Sequence, residues 1–416
     1  MFFKKLLRAS EAWRIIKNVL EKIELSIEEV EVNSALGRYL AEDVKSNVDI
    51  PPYDKSAVDG FAVKSMDLTG ASLYNPALLK IIGEVVIGSS SRYVVQEGEA
   101  VKVDTGAPVP SGADAVVELE SCNILGEYVE VTKRVAPFAN VIRKGEDVKK
   151  GEIVAEKGSK IKPWDIALIK GVGVEKIKVY KPPRVALIST GSELSPSWEN
   201  GKIVDTNKPN LKNLLKLLSI DALDMGIVRD IREEVKKALE TACETADIVI
   251  TTGGVSVGER DYTIKVLEEI GEIYLHGVAV RPGMPFALAK VGDAPVFALP
   301  GNPVAAYIDY KLFVETSILH LYSAKLPDIP VIAKLKYKIP SSLGFREFVR
   351  VKLVNMGKEA YAIPVRRRGS SILSSIARSD GVVVIPENSE GLPEGIMTRV
   401  YPHTQPWKVI LEDSSS

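Results

Sequence analysis

The residues best suited to chemistry lie in one run, Thr251-Thr-Gly-Gly-Val-Ser-Val-Gly-Glu-Arg-Asp261. An apolar, β-branched stretch, Ile248 to Ile250, leads into it, and two carboxylates, Glu259 and Asp261, close it. Open α/β sheets take their ligands beyond the carboxyl ends of their strands. Gly253 and Gly254 let the backbone come close to a phosphate, and their N–H groups suit an anion nest. A carboxylate a few residues later would hold Mg²⁺ against that phosphate. Taken alone, the run reads equally well as a tight turn.

Two more loops of this kind follow predicted strands. In Ile188-Ser-Thr-Gly-Ser-Glu-Leu194 the hydroxyls of Ser189, Thr190 and Ser192 and the open backbone of Gly191 suit phosphate oxygens. Glu193 there is a second candidate metal ligand. In Leu299-Pro-Gly-Asn-Pro303, Pro300 and Gly301 precede Asn302, a good N-cap, and Pro303, well suited to the first helical position. That leaves a helix N-terminus open to an anion, with plain capping as the alternative. Three such loops in one domain favour a site. Arg281, in Arg281-Pro-Gly-Met-Pro285, offers a bidentate fork for an oxyanion, or a rim salt bridge. Tyr53 to Ala62, with Asp54 and Asp59, and Asp104 to Pro110, with Thr105, are turns by default.

The elements that must position these loops follow from periodicity. At 416 residues the chain is expected to form two to four domains. Ser10 predicts the N-cap of a helix over 10–22, with a second short helix over 32–40. Between Phe61 and Val141 short alternating runs separated by Gly and Pro predict a β-rich module. Residues 161–169 predict a short helix. After Lys181-Pro-Pro183 strands and helices alternate: strands at 185–189, 222–226, 248–252, 277–280, 286–290 and 296–299, and helices at 210–218, 231–246, 262–270 and 304–322. That alternation predicts a parallel, doubly wound sheet. From Leu326 the pattern is β again, ending in a frayed tail at Asp413–Ser416.

Composition narrows the function. A net charge of −1 points to neither nucleic acid nor an anionic membrane surface, although Arg366-Arg367-Arg368 is a local anion-site candidate. Two cysteines exclude a disulfide framework, and three histidines make a histidine-rich metal centre unexpected, so oxygen ligands are expected. The basic, apolar start lacks the pattern of a signal peptide. No apolar run approaches the roughly 18 residues of a membrane span, so a cytoplasmic protein is expected.

Asp54-Lys-Ser-Ala-Val-Asp-Gly60, Thr105-Gly-Ala-Pro-Val-Pro110, Ser189-Thr-Gly-Ser-Glu-Leu194, Thr251 to Gly258 with Asp261-Tyr262, and Leu299-Pro-Gly-Asn-Pro303 occur in one order. In that order the chain resembles the MoeA family of molybdopterin molybdenumtransferases, which includes the C-terminal part of gephyrin. The resemblance spans roughly residues 10–405. It implies a doubly wound MogA-like α/β domain over 181–325, a β-rich insert over 49–141, a discontinuous mixed domain over 1–48 and 142–180, and a β-barrel-like domain over 326–416. It implies an elongated homodimer and the conversion of adenylylated molybdopterin and molybdate, or tungstate, to cofactor, AMP and water with Mg²⁺. A MogA- or MoaB-type adenylyltransferase is the implied partner.

The resemblance also assigns roles. Thr252, the Gly253-Gly254 nest, Val255 and Ser256 would hold phosphate, with Ser189, Thr190, Gly191, Ser192 and Pro300 to Pro303 completing the cradle. Asp261 and Glu193 would hold Mg²⁺. Asp59, Thr105, Asp147 and Asp230 match polar residues of the cleft. Arg281 is the first candidate for the molybdate pocket, followed by Arg346, Arg350, Ser370 and Ser371. The family commonly carries Lys-Pro-Gly-Lys-Pro where this chain has Arg281-Pro-Gly-Met-Pro285, and often Asn where it has Lys55. Two other readings stand beside the transferase. One is a molybdopterin-binding scaffold without turnover, motivated by Met284, and the other is a molybdopterin adenylyltransferase that consumes ATP.

Overall fold

The computed structural model describes residues 6–255, 261–324, 329–365 and 369–407. Ser256, Glu259, the arginine run 366–368 and the C-terminal tail lie outside them. At the centre is a six-stranded sheet. Its first four strands in spatial order, Leu223–Val228, Val185–Thr190, Ile248–Thr252 and Ala294–Leu299, are mutually parallel. Ala287–Val291 runs antiparallel to the fourth, and Glu272–His276, antiparallel to Ala287–Val291, points the same way as the first four. The sheet is doubly wound as expected, with one reversed strand that makes it mixed. The cause is local: Gly292 at φ +57° and Asp293 close a two-residue hairpin, which only antiparallel neighbours can use.

Burial follows the layer rule. Val185–Thr190, Ile248–Thr252 and Ala294–Leu299 are buried at every position, as strands covered on both faces must be. One face packs on helices Arg232–Thr245 and Tyr262–Ile270 through Val235, Leu239, Val266 and Leu267. The other meets helix Asn207–Lys216 and a long helical run from Pro303 to Leu321. That run includes one π-helical segment, Tyr310–Val314.

Around this unit sit smaller assemblies. The helix Ala9–Leu20 buries Trp13, Ile16 and Leu20 against the long run, with Trp13 edge-on to His320. Its N-cap is Arg8, whose N–H donates to Glu11 at 2.8 Å, so Ser10 lies inside the first turn. Instead of a helix over 32–40 there is one 3₁₀ turn, Val32–Ser34, packed with helix Pro163–Gly171. The β-rich segment forms a second six-stranded sheet, from Gly60–Val63 to Tyr128–Val131. In the C-terminal segment, strands Arg346–Met356, Glu359–Pro364, Val331–Leu335, Met397–Pro402 and Gly381–Ile385 close into a five-stranded barrel, since the first also pairs with the last. Among the described residues no helix is long and apolar enough to cross a membrane.

The barrel is fastened to the long helix by a buried polar line. The Tyr307 hydroxyl is 2.7 Å from His403 Nδ1, and the Ser379 hydroxyl is 2.8 Å from Nε2. Burial, and after it the nearby Lys311 charge, pushes His403 down to about 4. The unfolded chain binds that proton more readily, so the contribution is complete above pH 6.5 and is lost as pH falls towards 4. The difference corresponds to on the order of 3 kcal/mol. Urea unfolding of wild type and His403→Gln across pH 4–7 should show a shallower loss of stability on acidification in the variant; identical slopes would refute the assignment.

Candidate functional site

The three loops flagged by sequence meet at one edge of the central sheet. They follow adjacent parallel strands, so their carboxyl ends are level. Gly253 draws them together. Its N–H donates to the Leu299 carbonyl at 3.0 Å, and at φ +94° a Cβ there would lie 2.3 Å from the Thr190 carbonyl oxygen. Gly254, at φ +66°, has equally little room, with Thr263 Oγ1 2.4 Å from where a Cβ would stand. Both glycines are therefore required by packing and by backbone conformation.

The loops enclose a cleft of about 740 Å³. Thr190, Gly191, Glu193, Asp230, Thr252, Gly253, Gly254, Val255, Asp261, Pro300, Gly301, Asn302 and Pro303 all line it, and Ser371 and Leu373 enter from the barrel side. Asn302 is the helix N-cap but makes no side-chain cap bond, which leaves its amide to the cleft. Asp230 and Ser192 exchange bonds that tie their loops: Ser192 N–H donates to Asp230 Oδ2 at 2.8 Å, and Asp230 N–H donates to the Ser192 hydroxyl at 2.9 Å.

Several expected roles change. Ser189 is buried and donates its hydroxyl to Asp205 Oδ2 at 2.5 Å, so it supports the cradle from beneath. Ser192 is a loop fastener and does not line the cleft. The Gly253 N–H is committed to Leu299, so that half of the expected anion nest is closed. Ser256 lies outside the described residues. Asp59, Thr105 and Asp147 sit on exposed surface and do not line the cleft of their own chain. Asp59 Oδ1 accepts from the Thr105 N–H at 2.6 Å and its hydroxyl at 2.8 Å, which holds the Asp59 carboxyl below its ordinary range.

Sequence reasoning missed Asp205 and Asn207. Asp205 lines the cleft, accepts from Ser189 and receives the Lys208 N–H at 3.1 Å. Asn207 donates to the Gly301 carbonyl at 2.8 Å and so braces the third loop. The signal was a polar run, Asp205-Thr-Asn207, at the start of a helix, where capping is the usual explanation.

The electrostatics of the cleft are one-sided. Glu193, Asp205, Asp230 and Asp261 line it, and among the described residues no Lys or Arg does. No group of three or more His, Cys, Asp or Glu side chains is gathered closely enough to hold a metal unaided, again among the described residues. The donors are all oxygen, which suits a hard cation completed by ligand phosphate and water.

A second hollow of about 470 Å³ adjoins the first and shares Pro285, Pro300 and Asn302 with it. Its lining carries two cations and one carboxylate: Arg281, stacked 3.6 Å over the Phe345 ring, Arg350, only 4% exposed, and Glu347, which accepts from the Ser341 hydroxyl at 2.7 Å. The Arg350 guanidinium donates to the Phe348 and Gly369 carbonyls and the Ser375 hydroxyl, and has no salt-bridge partner among the described residues. With no salt bridge to neutralise it, and only Glu347 acting on it at longer range, this buried guanidinium keeps charge for an anionic ligand. Ser370 also lines this hollow, whereas Arg346 pairs with Glu387 at 3.0 Å and lies outside it. Met284, on the rim, adds no cation.

A carboxylate-lined cleft at the strand ends of an α/β sheet, next to a second hollow under a small β-barrel, marks a multidomain ligand-binding α/β protein. The chain belongs to the MoeA family. Its residues 7–173 match the MoeA N-terminal region, 186–320 the molybdopterin binding domain and 333–402 the MoeA C-terminal region. It is 36% identical over 375 residues to the molybdopterin molybdenumtransferase of Staphylococcus aureus, covering 88% of each chain. It is 40% identical over 386 residues to a Methanocaldococcus jannaschii protein named for molybdopterin biosynthesis, covering 90% of this chain and 92% of that one. The crystal structure of a molybdopterin biosynthesis MoeA protein from Pyrococcus horikoshii superposes with a TM-score of 0.83 at 36% identity, over 95% of this chain and all of that one.

Gly253→Ala places a methyl group against the Thr190 carbonyl in a left-handed conformation. A loss of more than about 2 kcal/mol is expected, with loosening of all three loops. Chemical denaturation checks this, and a variant as stable as wild type would contradict the packing assignment.

Proposed function

We propose that this chain inserts an oxyanion metal, molybdate or tungstate, into adenylylated molybdopterin and releases AMP and water. The observation that carries the reading is the junction of two unlike sites: a carboxylate-lined cleft of nucleotide size and, sharing three residues with it, a hollow bearing Arg281 and Arg350. An anionic phosphoanhydride among Glu193, Asp230 and Asp261 needs a cation, since each unit charge a few ångströms away costs kilocalories in a partly desolvated site, whereas Asp205 already has Lys208 beside it. Glu193 and Asp261, with Asp230 beside them, would hold Mg²⁺, which neutralises the phosphoanhydride oxygens when bound. Gly254, Thr190 and Asn302 bind and orient the phosphate, while Arg281, Arg350 and the Ser370 and Ser371 hydroxyls place the oxyanion next to the pterin dithiolene. Asp261→Ala should reduce AMP release with molybdate and Mg²⁺ by at least a hundredfold in a folded protein, and unchanged turnover would eliminate that role.

The working unit is proposed to be a homodimer, and the adenylylated substrate is proposed to come from a MogA- or MoaB-type adenylyltransferase. Asp59 and Thr105 are exposed and already fixed to each other, as a pair serving another chain's cleft would be. If they complete the partner's site, Asp59→Ala and Asp261→Ala chains complement each other. In a mixed dimer one cleft then keeps both groups and the other has neither. Random mixing of equal amounts should restore about one quarter of wild-type AMP release, because half the dimers are mixed and each has one intact cleft. No restoration between two inactive variants would show that Asp59 does not complete the partner's cleft, and full activity of Asp59→Ala alone would remove it from the reaction.

A further inference from the structure

Beneath the cationic hollow lies a carboxyl that the proposed reaction does not use. Asp309 is wholly buried, and neither oxygen finds a hydrogen-bond partner among the described residues. It stands four residues after Ala305 on the long helix, one turn deeper on the same face, and Ala305 lines the hollow. Its carboxyl lies directly behind Gly283. A Cβ on Gly283 would fall 2.1 Å from Asp309 Oδ1 and 3.0 Å from Oδ2. Gly283 itself lines the hollow, in the turn that carries Arg281 and Met284. The backbone of one glycine thus separates the carboxyl from the anion space.

The turn's own carbonyls make no hydrogen bond to this carboxyl. The Gly283 carbonyl already accepts from Phe286 N–H at 3.1 Å, and the Met284 carbonyl accepts from Val278 N–H at 2.9 Å. A charged, unpaired carboxylate in such a place would be very costly, whereas a neutral acid leaves one O–H in search of an acceptor. Burial alone pushes the Asp309 carboxyl well above the usual carboxylate range, and an anion arriving next to it would strengthen that preference. The side chains on this side of the hollow supply no donor, since those of Met284 and Ala305 carry neither N–H nor O–H.

We propose that Asp309 is a latent donor for the oxyanion hollow: an uncharged acid behind Gly283 whose O–H gains its acceptor only when an oxyanion enters and the Arg281–Pro285 turn settles around it. Asp309 then acts as a positioning residue that adds affinity for a tetrahedral oxyanion without adding negative charge. The inference rests on the reading of this hollow as the oxyanion site. A buried polar group left unsatisfied in the free protein also lowers stability, so function and stability should oppose each other at this position.

Calorimetric titration of the full-length protein with molybdate and with tungstate, paired with thermal unfolding, tests this. Asp309→Asn keeps an uncharged donor and should bind within about threefold of wild type. Asp309→Leu, with the same branching but no polar atom, should bind at least tenfold more weakly and yet unfold at the same or a higher temperature. Tight oxyanion binding by Asp309→Leu would overturn the inference alone. Markedly tighter binding by Asp309→Asn would overturn it too, by showing that the native group is a repelling carboxylate. If Asp309→Leu does not fold, a tenfold loss in Asp309→Asn overturns the donor role. Failure of wild type to bind either oxyanion would remove the hollow's assignment, and this inference with it.

Discussion

The approach of Gly253 to Thr190 and Leu299 is the contact on which the site depends. One residue, without a side chain and in a left-handed conformation, lets the ends of three parallel strands converge to hydrogen-bonding distance. Any Cβ there would force the loops apart. The parallel register of the central sheet makes this convergence available, because it levels the carboxyl ends of neighbouring strands at one edge. The tight turn at Gly292 lies at the opposite edge, and the reversed strand Ala287–Val291 that it ends begins at the cleft edge, where Pro285 borders both spaces.

From that contact the division of labour follows. The loops over the parallel strands form a cleft that is rich in carboxylates and glycine turns and needs a cation to accept an anionic ligand. The barrel closes over the next turn and brings in Arg350 and Ser370, so the neighbouring hollow has the opposite sign. The long helix from Pro303 to Leu321 serves both: its first residues border the two spaces, and its later residues bind the barrel through Tyr307 and His403. A buried histidine held neutral is a firm fastening near neutrality and a weak one in acid.

The polar residues around the cleft separate into those that face a ligand and those that hold the residues facing it. Ser189 and Asp205 were indistinguishable from ligand groups by type. Burial puts Ser189 beneath the floor and Asp205 both beneath and at the lining. The Asp230–Ser192 pair similarly ties two strand-end loops that have no covalent connection nearby. Preorganised sites generally need such supports, because a loop left to its own entropy would not hold phosphate-binding groups in place.

Local chemistry was legible in the sequence because it is written over a few adjacent residues. The β-branched run before Thr251, the paired glycines, the Asn302-Pro303 helix start and the strand–helix alternation after Pro183 all act within a turn or two. Strand 248–252 and helix 262–270 appear where their periods put them. Ser10 misled because Arg8 with Glu11 made the better cap two residues earlier. Tertiary structure alone decided which hydroxyl faced the cleft, that Asp205 and Asn207 belonged to it, that Arg346 was paired with Glu387 and Arg350 was not, and that Asp309 lay behind Gly283. Those are contacts between residues tens to hundreds of positions apart. Residue type and spacing carry no record of them until the sheet, the long helix and the barrel bring the chains of contacts together.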